Sequence, residues 1–450
     1  RRPRPTNPAR KLFFFEKKNQ KTFIHQPRSR CTVTSSSSLV GGISSAARVL
    51  PPLDGVPIQI ARSAGPYLWD QDGRRYVDTA LGLGGTILGH APPAVIAAVE
   101  EALREGPLPA FAHPREEAAA AALTATAGPL GSVVFTNSGS EAVHLACRIA
   151  RAATGRRRIA KIAAGYDGWY DDINFGTAGS QEAELSANAR PENGDVVLLR
   201  FNDPLDTEAL FRDYADVACV IVEPLLANAG CILPAPGYLL HLQETARRHG
   251  ALVIADEVLS GFRLSAGLTA HSMGLDPDLA SVGKAIGSGI AVAGVLGRPE
   301  LMALCLQGRA ARAGTYSGNP VACAAVIATM AELERADYPS LLAQGEVFRA
   351  EMEAAFRKAG FAVSTTGLAD VFTLWFTEDP PADYAAALRV ARADLSLAVH
   401  EAMRRHGVLA IPSAFGRYYL SFAHDGEAMA ALTEGVAAAA GEVAAHITRR

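Results

Sequence analysis

Cysteine is scarce in this chain: 450 residues contain six, Cys31, Cys147, Cys219, Cys231, Cys305 and Cys323. No two form a CxxC pair and none has a histidine partner at metal-ligand spacing, so zinc-ribbon and disulfide-stapled designs are excluded. Most of these thiols are expected to be buried and reduced. An excess of either charge is also missing. The count of 43 Lys and Arg against 46 Asp and Glu gives a formal charge of -3, which offers no bulk attraction to nucleic acid or to an anionic membrane. Gly, Pro or charge interrupts every apolar run, including the stretch from Gly289 to Gly297, so none approaches the roughly 18 residues of a membrane span. Phosphate-loop patterns fail as well. GxxxxGK[ST] is broken because Ala285 follows Lys284, and no GxGxxG follows a strand, which argues against a nucleotide-binding protein.

What is there is the composition of a soluble protein with a small-molecule substrate. With 49% hydrophobic and 20% charged residues, the chain can bury a large core and is long enough for two domains. Residues 1–38 differ from the rest. Ten basic residues there face one acid, Glu16, a formal +9, so the remainder carries about -12; the segment ends in Ser35 to Ser38. An Arg-rich, Ser-rich, acid-poor segment has the character of an organelle transit peptide, although a disordered tail or a misplaced gene start has the same composition. The expected location is the cytoplasm, or an organelle matrix or plastid if the extension is a targeting signal.

From Gly41 onward, short apolar runs alternate with helical segments, the pattern of an α/β protein with a mainly parallel sheet. Ser132 to Phe135, Val217 to Val222 and Ala251 to Ala255 read as strands covered on both faces. Gly237 to His249 has helical spacing between Pro236 and Gly250, and a second helix is expected from Ser138 to about Thr154. Asp383 to Arg405 and Glu427 to Ile447 make the C-terminal region a smaller, helix-rich unit. There is no internal repeat.

Three constellations could carry chemistry. Asn137-Ser138-Gly139-Ser140-Glu141 is a small-residue turn from a strand into a helix, able to offer amides, hydroxyls and the positive helix end to a phosphate; Ser followed by Glu reads equally as an N-cap. Val253 to Val258 places Asp256 at a strand end, where a buried carboxylate asks for a metal, an Arg or Lys, or a protonated cofactor nitrogen. Ser281 to Gly289 sets Lys284 among small and apolar neighbours. Poor solvation there favours the neutral amine, which can attack a carbonyl, although a phosphate contact fits the same stretch.

In combination these motifs resemble the class III pyridoxal-phosphate aminotransferases, and within them the glutamate-1-semialdehyde aminomutase-like branch. The likeness runs from about Gly41 to Ala445. It is carried by Asn137 to Ala142, Glu223-Pro224, Asn228-Ala229-Gly230, Asp256-Glu257-Val258 with Gly261-Phe262-Arg263, Gly283-Lys284, and Gly314 to Pro320. It implies a fold type I transferase: a large cofactor domain at 106–335 and a smaller α+β domain built from 39–105 and 336–450. The cofactor would be pyridoxal 5'-phosphate, held by Lys284 as a Schiff base, with Asp256 keeping the pyridine nitrogen protonated. Ser138, Gly139 and Ser140 would bind the phosphate, joined by Thr315 from a neighbouring subunit, which implies a homodimer. Tyr166 would stack on the ring, Val258 would cover its other face, and Glu223 and Asn228 would lie on its hydroxyl side.

The substrate end departs from that branch. Gly41 to Arg48 matches it, with Arg48, beside Ser45, expected to receive a substrate carboxylate; an exposed arginine reads the same. Asp167 stands where the branch has His after the stacking aromatic. Phe415-Gly416-Arg417-Tyr418 replaces a Phe-Glu-Ala-Gly stretch, so an acid is lost and Arg417 gained. That change suits a substrate with a second anionic group. The expectation is a transaminase for an amino acid, with β- or ω-amino acids in scope, passing the amino group to a keto or aldehyde acceptor. The aminomutase that makes 5-aminolevulinate and a non-catalytic cofactor-binding scaffold are the alternatives.

Overall fold

The structure is a computed structural model and describes residues 38–448. The basic extension, Ser38 apart, and Cys31 lie outside the described residues. Eight strands form the central sheet, in the spatial order Ser132–Thr136, Ala293–Gly297, Leu279–Val282, Leu252–Asp256, Val217–Val222, Arg158–Ile162, Val196–Leu199 and Glu192–Asn193. The five from Leu279–Val282 to Val196–Leu199 pair in parallel. Ala293–Gly297 is antiparallel to both of its neighbours, and Glu192–Asn193 to its one.

Burial follows from coverage on both faces. Every residue of Val217–Val222 is buried. Val220 and Val222 join the core on one side of the sheet while Cys219 and Ile221 join the core on the other, as the two-residue strand period requires. The first core takes Leu239, Leu242 and Ala246 from the helix Tyr238–Arg248; the second takes Ala142, Val143 and Ala146 from the helix Gly139–Thr154. Each fully covered Val or Ile stabilises the fold by roughly 1.5–3 kcal/mol relative to exposure. Ser132–Thr136 departs from the expectation of full coverage. Its first three residues are only half-buried, because it forms the edge of the sheet and pairs with one strand.

The smaller unit joins the two ends of the chain. Ile60–Ala64, Tyr67–Asp70 and Arg75–Asp78 form an antiparallel meander, and Val408–Leu409 adds to it in parallel. Ser364–Gly367, Val371–Trp375 and Tyr418–Tyr419 make a second antiparallel sheet. Phe348, Met352, Val399, Met403, Leu432 and Val436, from three helices, share its core. The Asp383 to Arg405 segment forms two helices, Tyr384–Val390 and Ala393–Arg405. Pro93–Glu105 packs on Pro320–Arg335 through Val95, Val99 and Ala325.

The C-terminal helix departs from the expectation that no stretch approaches a membrane span. Among the described residues, the stretch Gly426–His446 is long and apolar enough, by length and composition, to cross a membrane. Alanine supplies that hydropathy without an unbroken run of large apolar residues. Ala428, Leu432, Val436, Ala439, Ala440 and Val443, at helical spacing, lie in the small-domain core.

Candidate active site

A cavity of about 400 Å³ opens at the carboxyl ends of the parallel strands, the edge where α/β sheets gather ligands. Asn137 and Ser138 follow one strand, Tyr166 and Asp167 another, Glu223 and Lys284 two more, and Asp256 ends a fifth; all line it. Ser138, Gly139, Ser140, Tyr166, Glu223, Asn228, Asp256, Val258 and Lys284, singled out from the sequence, share this one wall. Thr315 does not. It sits on an exposed turn, although a β-carbon on its neighbour Gly314 would lie 3.8 Å from Asn137 Nδ2. Arg48 is exposed and Ser45 half-buried on a short turn that contributes nothing to the wall. Arg417 lies one hydrogen bond behind it, its Nη1 donating to Asn228 Oδ1 at 3.0 Å.

The helix start is an N-cap that does not use up its amides. Ser138 caps Gly139–Thr154, its Oγ accepting from Glu141 N at 3.3 Å, while Glu141 Oε2 accepts from Asn137 N at 2.8 Å and Ser138 Oγ at 3.2 Å. This reciprocal cap leaves the amides of Gly139 and Ser140, first in the helix and both residues of the cavity wall, without a partner among the described residues. Gly139 is required here. A β-carbon on it would meet Val258 Cγ1 at 2.8 Å. Ser140 Oγ accepts from Trp169 N at 3.3 Å, which docks the 165–169 turn on the helix.

The acids and the lysine are out of the ordinary ionisation range. Burial, then the charges of Asp167 and Glu223, push Asp256 well above the usual carboxylate range; its Oδ1 accepts from Val258 N at 3.0 Å, and no Lys or Arg pairs with the carboxylate among the described residues. Glu223 accepts from Tyr166 N at 2.9 Å and is pushed up to about 7 by burial and then by Asp167. Lys284 lies within the protein envelope with its side chain partly open to the cavity. Burial, then the charge of Arg417, pull its amine down to about 8, so it is substantially neutral at mild alkaline pH. Its backbone sits at φ +44°, a left-handed conformation uncommon outside glycine, two residues past the end of the strand Leu279–Val282.

This donor set fits pyridoxal 5'-phosphate. Asp256 lacks a cation that a protonated ring nitrogen would supply, Lys284 offers an amine that gives up its proton more readily than an ordinary lysine, and the helix start offers free amides to a phosphate. By fold and site the molecule falls in the class of α/β enzymes that work through this cofactor. Known proteins narrow it further. The chain belongs to the aminotransferase class-III family, whose pattern matches residues 51–364. It is 37% identical over 404 residues to a glutamate-1-semialdehyde 2,1-aminomutase of Nitratidesulfovibrio vulgaris, covering 88% of this chain and 94% of that one. Its structure is similar to an omega-transaminase from Sphaerobacter thermophilus, with TM-score 0.81, 32% identity and coverage of 91% and 95%. It is also similar to a beta-phenylalanine aminotransferase from Variovorax paradoxus, with TM-score 0.79, 27% identity and coverage of 89% and 90%. The protein is a pyridoxal-phosphate-dependent aminotransferase, and its chemistry is transamination.

Several wall residues were not singled out from sequence. Gly82 and Gly85 come from the N-terminal segment, and Gly289, Ile290, Ala291 and Val292 from the loop before Ala293–Gly297. The crowding of glycine in Gly82, Gly84 and Gly85 was a usable signal. Asp167 was noted only as a departure; it is buried and ion-paired with a fully buried lysine, Lys161, at 2.5 Å.

Proposed function

We propose that the protein is an amino-acid transaminase, with β- and ω-amino acids in its range, in which Arg417 receives a substrate carboxylate. The observation that carries this reading is the unanswered charge of Arg417. Its Nε donates to Tyr419 Oη at 2.8 Å and its Nη1 to Ala227 O and Asn228 Oδ1, yet no carboxylate lies within ion-pair distance among the described residues. A half-buried guanidinium held only by neutral acceptors favours an incoming anion, and its planar fork matches a carboxylate. The loss of an acid at Gly416 removes the group that would have competed.

Bound pyridoxal 5'-phosphate supplies an aldehyde for amino-group exchange and a ring that withdraws electrons from the substrate carbon. Ser138, Gly139 and Ser140 would hold its phosphate end, Asp256 its ring nitrogen, Glu223 and Asn228 its hydroxyl side, and Tyr166 and Val258 its two faces. Lys284 Nζ would hold the cofactor and, as a free amine, would accept a proton at the substrate carbon and return it on the same side of the site. Thr315 of the partner subunit completes the phosphate site of a homodimer. Arg48, with Ser45, is a further carboxylate contact available to such an assembly.

The aminomutase reading is favoured by the Nitratidesulfovibrio relative's name and identity. Two assays on the purified holoenzyme separate the readings. Carboxylate-bearing donors are expected to convert the cofactor's absorbance to its amine-form band, with Arg417→Met raising their KM at least about tenfold and leaving carboxylate-free amines unaffected. Isomerisation of glutamate-1-semialdehyde at an ordinary enzymatic rate, with no added acceptor, would overturn the transaminase reading.

A further inference from the structure

Behind the cavity wall lies an ion pair that the roles above leave unused. Lys161, on the strand Arg158–Ile162, is fully buried, and its Nζ reaches Asp167 Oδ2 at 2.5 Å and Gly165 O at 2.7 Å. Asp167 is 2% exposed yet forms part of the cavity wall, whereas Lys161 does not. The pair is therefore oriented, with its negative end toward the cavity and its positive end in the core. Glu223 stands beside it: a β-carbon at Gly165 would lie 3.3 Å from Asp167 Oδ2 and 3.4 Å from Glu223 Oε1, so both carboxylates converge on one small residue.

We propose that Asp167, pinned from behind by Lys161, is a positioning residue that keeps a fixed negative charge on the acid side of the cavity, next to Glu223 and Asp256. This rests on the cofactor site argued above. The charged groups facing it are Lys161, from the strand Arg158–Ile162 just before its turn, and Glu223 and Asp256 from the ends of two other strands; Lys284 shares the same cavity wall. Its charge bears on both other acids. Asp167 ranks next after burial in holding Glu223 and Asp256 above their ordinary range. A Glu223 that keeps its proton near neutral pH presents a donor to the hydroxyl side of the cofactor, and every protonated form bound nearby gains from the same field. A neutral residue at 167 would leave Lys161 buried without a counter-charge and reverse the sign of that field. A merely structural tie between the strand and the 163–168 turn would leave the field at the cofactor unimportant.

The test is the pH titration of the bound-cofactor absorbance in the holoenzyme. Asp167→Asn is expected to lower the titration midpoint by about one unit or more, the size expected for loss of a charge at close range. The double variant Lys161→Met with Asp167→Asn removes both charges and is expected to shift the midpoint in the same direction by less; it carries the test if the single variant does not fold. Asp167→Glu, which keeps the charge, is expected to hold the midpoint near that of the parent. Parent-like midpoints in both the single and the double variant overturn the proposal. A parent protein that binds no titrating cofactor would instead overturn the cofactor site on which it rests.

Discussion

Two neighbouring acids, Asp256 and Glu257, show how one residue step decides a role. Asp256 faces the cavity, while Glu257 points into the core, where its Oε1 accepts from Ala270 N and its Oε2 from Ser260 Oγ at 2.7 Å. Burial holds the Glu257 carboxyl at about 7 against its ordinary 4.5, with those hydrogen bonds opposing the rise. A carboxyl whose folded value is raised stabilises the fold fully below its unfolded value and loses that contribution as pH rises through the folded one. The stability advantage of the parent over Glu257→Gln is therefore expected to shrink between about pH 4.5 and 7, as measured by denaturant unfolding of the cofactor-loaded proteins. An advantage independent of pH would contradict a raised carboxyl. In sequence, Asp256 and Lys284 were legible because each type of side chain, placed at a strand end or among small residues, has a narrow range of stable uses. Asp167 was legible only as an anomaly, since nothing local shows that Lys161, six residues earlier, returns to meet it.

The helix Gly139–Thr154 was legible from its ends, with Ser138 and Glu141 at one and Gly155, at φ +69°, at the other. The sequence left open whether the start was a cap or an anion site. The cap is formed, and because it uses the amides of Asn137 and Glu141 it leaves those of Gly139 and Ser140 for a second acceptor. The element also has a steric condition. Gly139→Ala would drive a methyl to within 2.8 Å of Val258, whose side chain shares the cavity wall. This substitution is expected to weaken pyridoxal-phosphate binding at least about tenfold, read by equilibrium dialysis, with only a small loss of fold stability because a helix favours Ala over Gly by about 1 kcal/mol. Unchanged cofactor affinity would show that the helix start stands away from the phosphate.

Three parts of the chain meet at Arg263. Its Nη1 pairs with Asp370 Oδ2 at 3.2 Å, its Nη2 donates to Gly84 O at 2.7 Å, and its guanidinium lies 5.3 Å from the Tyr419 ring, all with both ion-pair partners fully buried. The large domain thus holds the N-terminal turn that brings Gly82 and Gly85 to the cavity and the C-terminal segment that brings Arg417. Arg263→Met is expected to cost about 3–5 kcal/mol by stranding Asp370, and adding Asp370→Leu is expected to restore most of it, as read by denaturant unfolding. Additive losses in the double variant would mean that the pair is not coupled. Arg263 was visible in sequence only as part of a motif; its role as a joint depends on contacts more than a hundred residues away in either direction.

The contrast has one physical cause. Alternation of apolar residues, helix caps and glycines act over a few bonds, so the strands, the helix at Ser138 and the chemical types of Asp256 and Lys284 could be read from the chain alone. Convergence is different. That Glu223, Asp256 and Lys284 meet at one edge follows from the parallel register Leu279 with Ile254 and Val220 with Val253, which is set by packing on both faces of the sheet. The oriented Lys161–Asp167 pair, the anchoring of Arg417 on Asn228 and the placing of Arg48 and Thr315 away from the wall were decided there too, because burial and charge act through space and not along the chain.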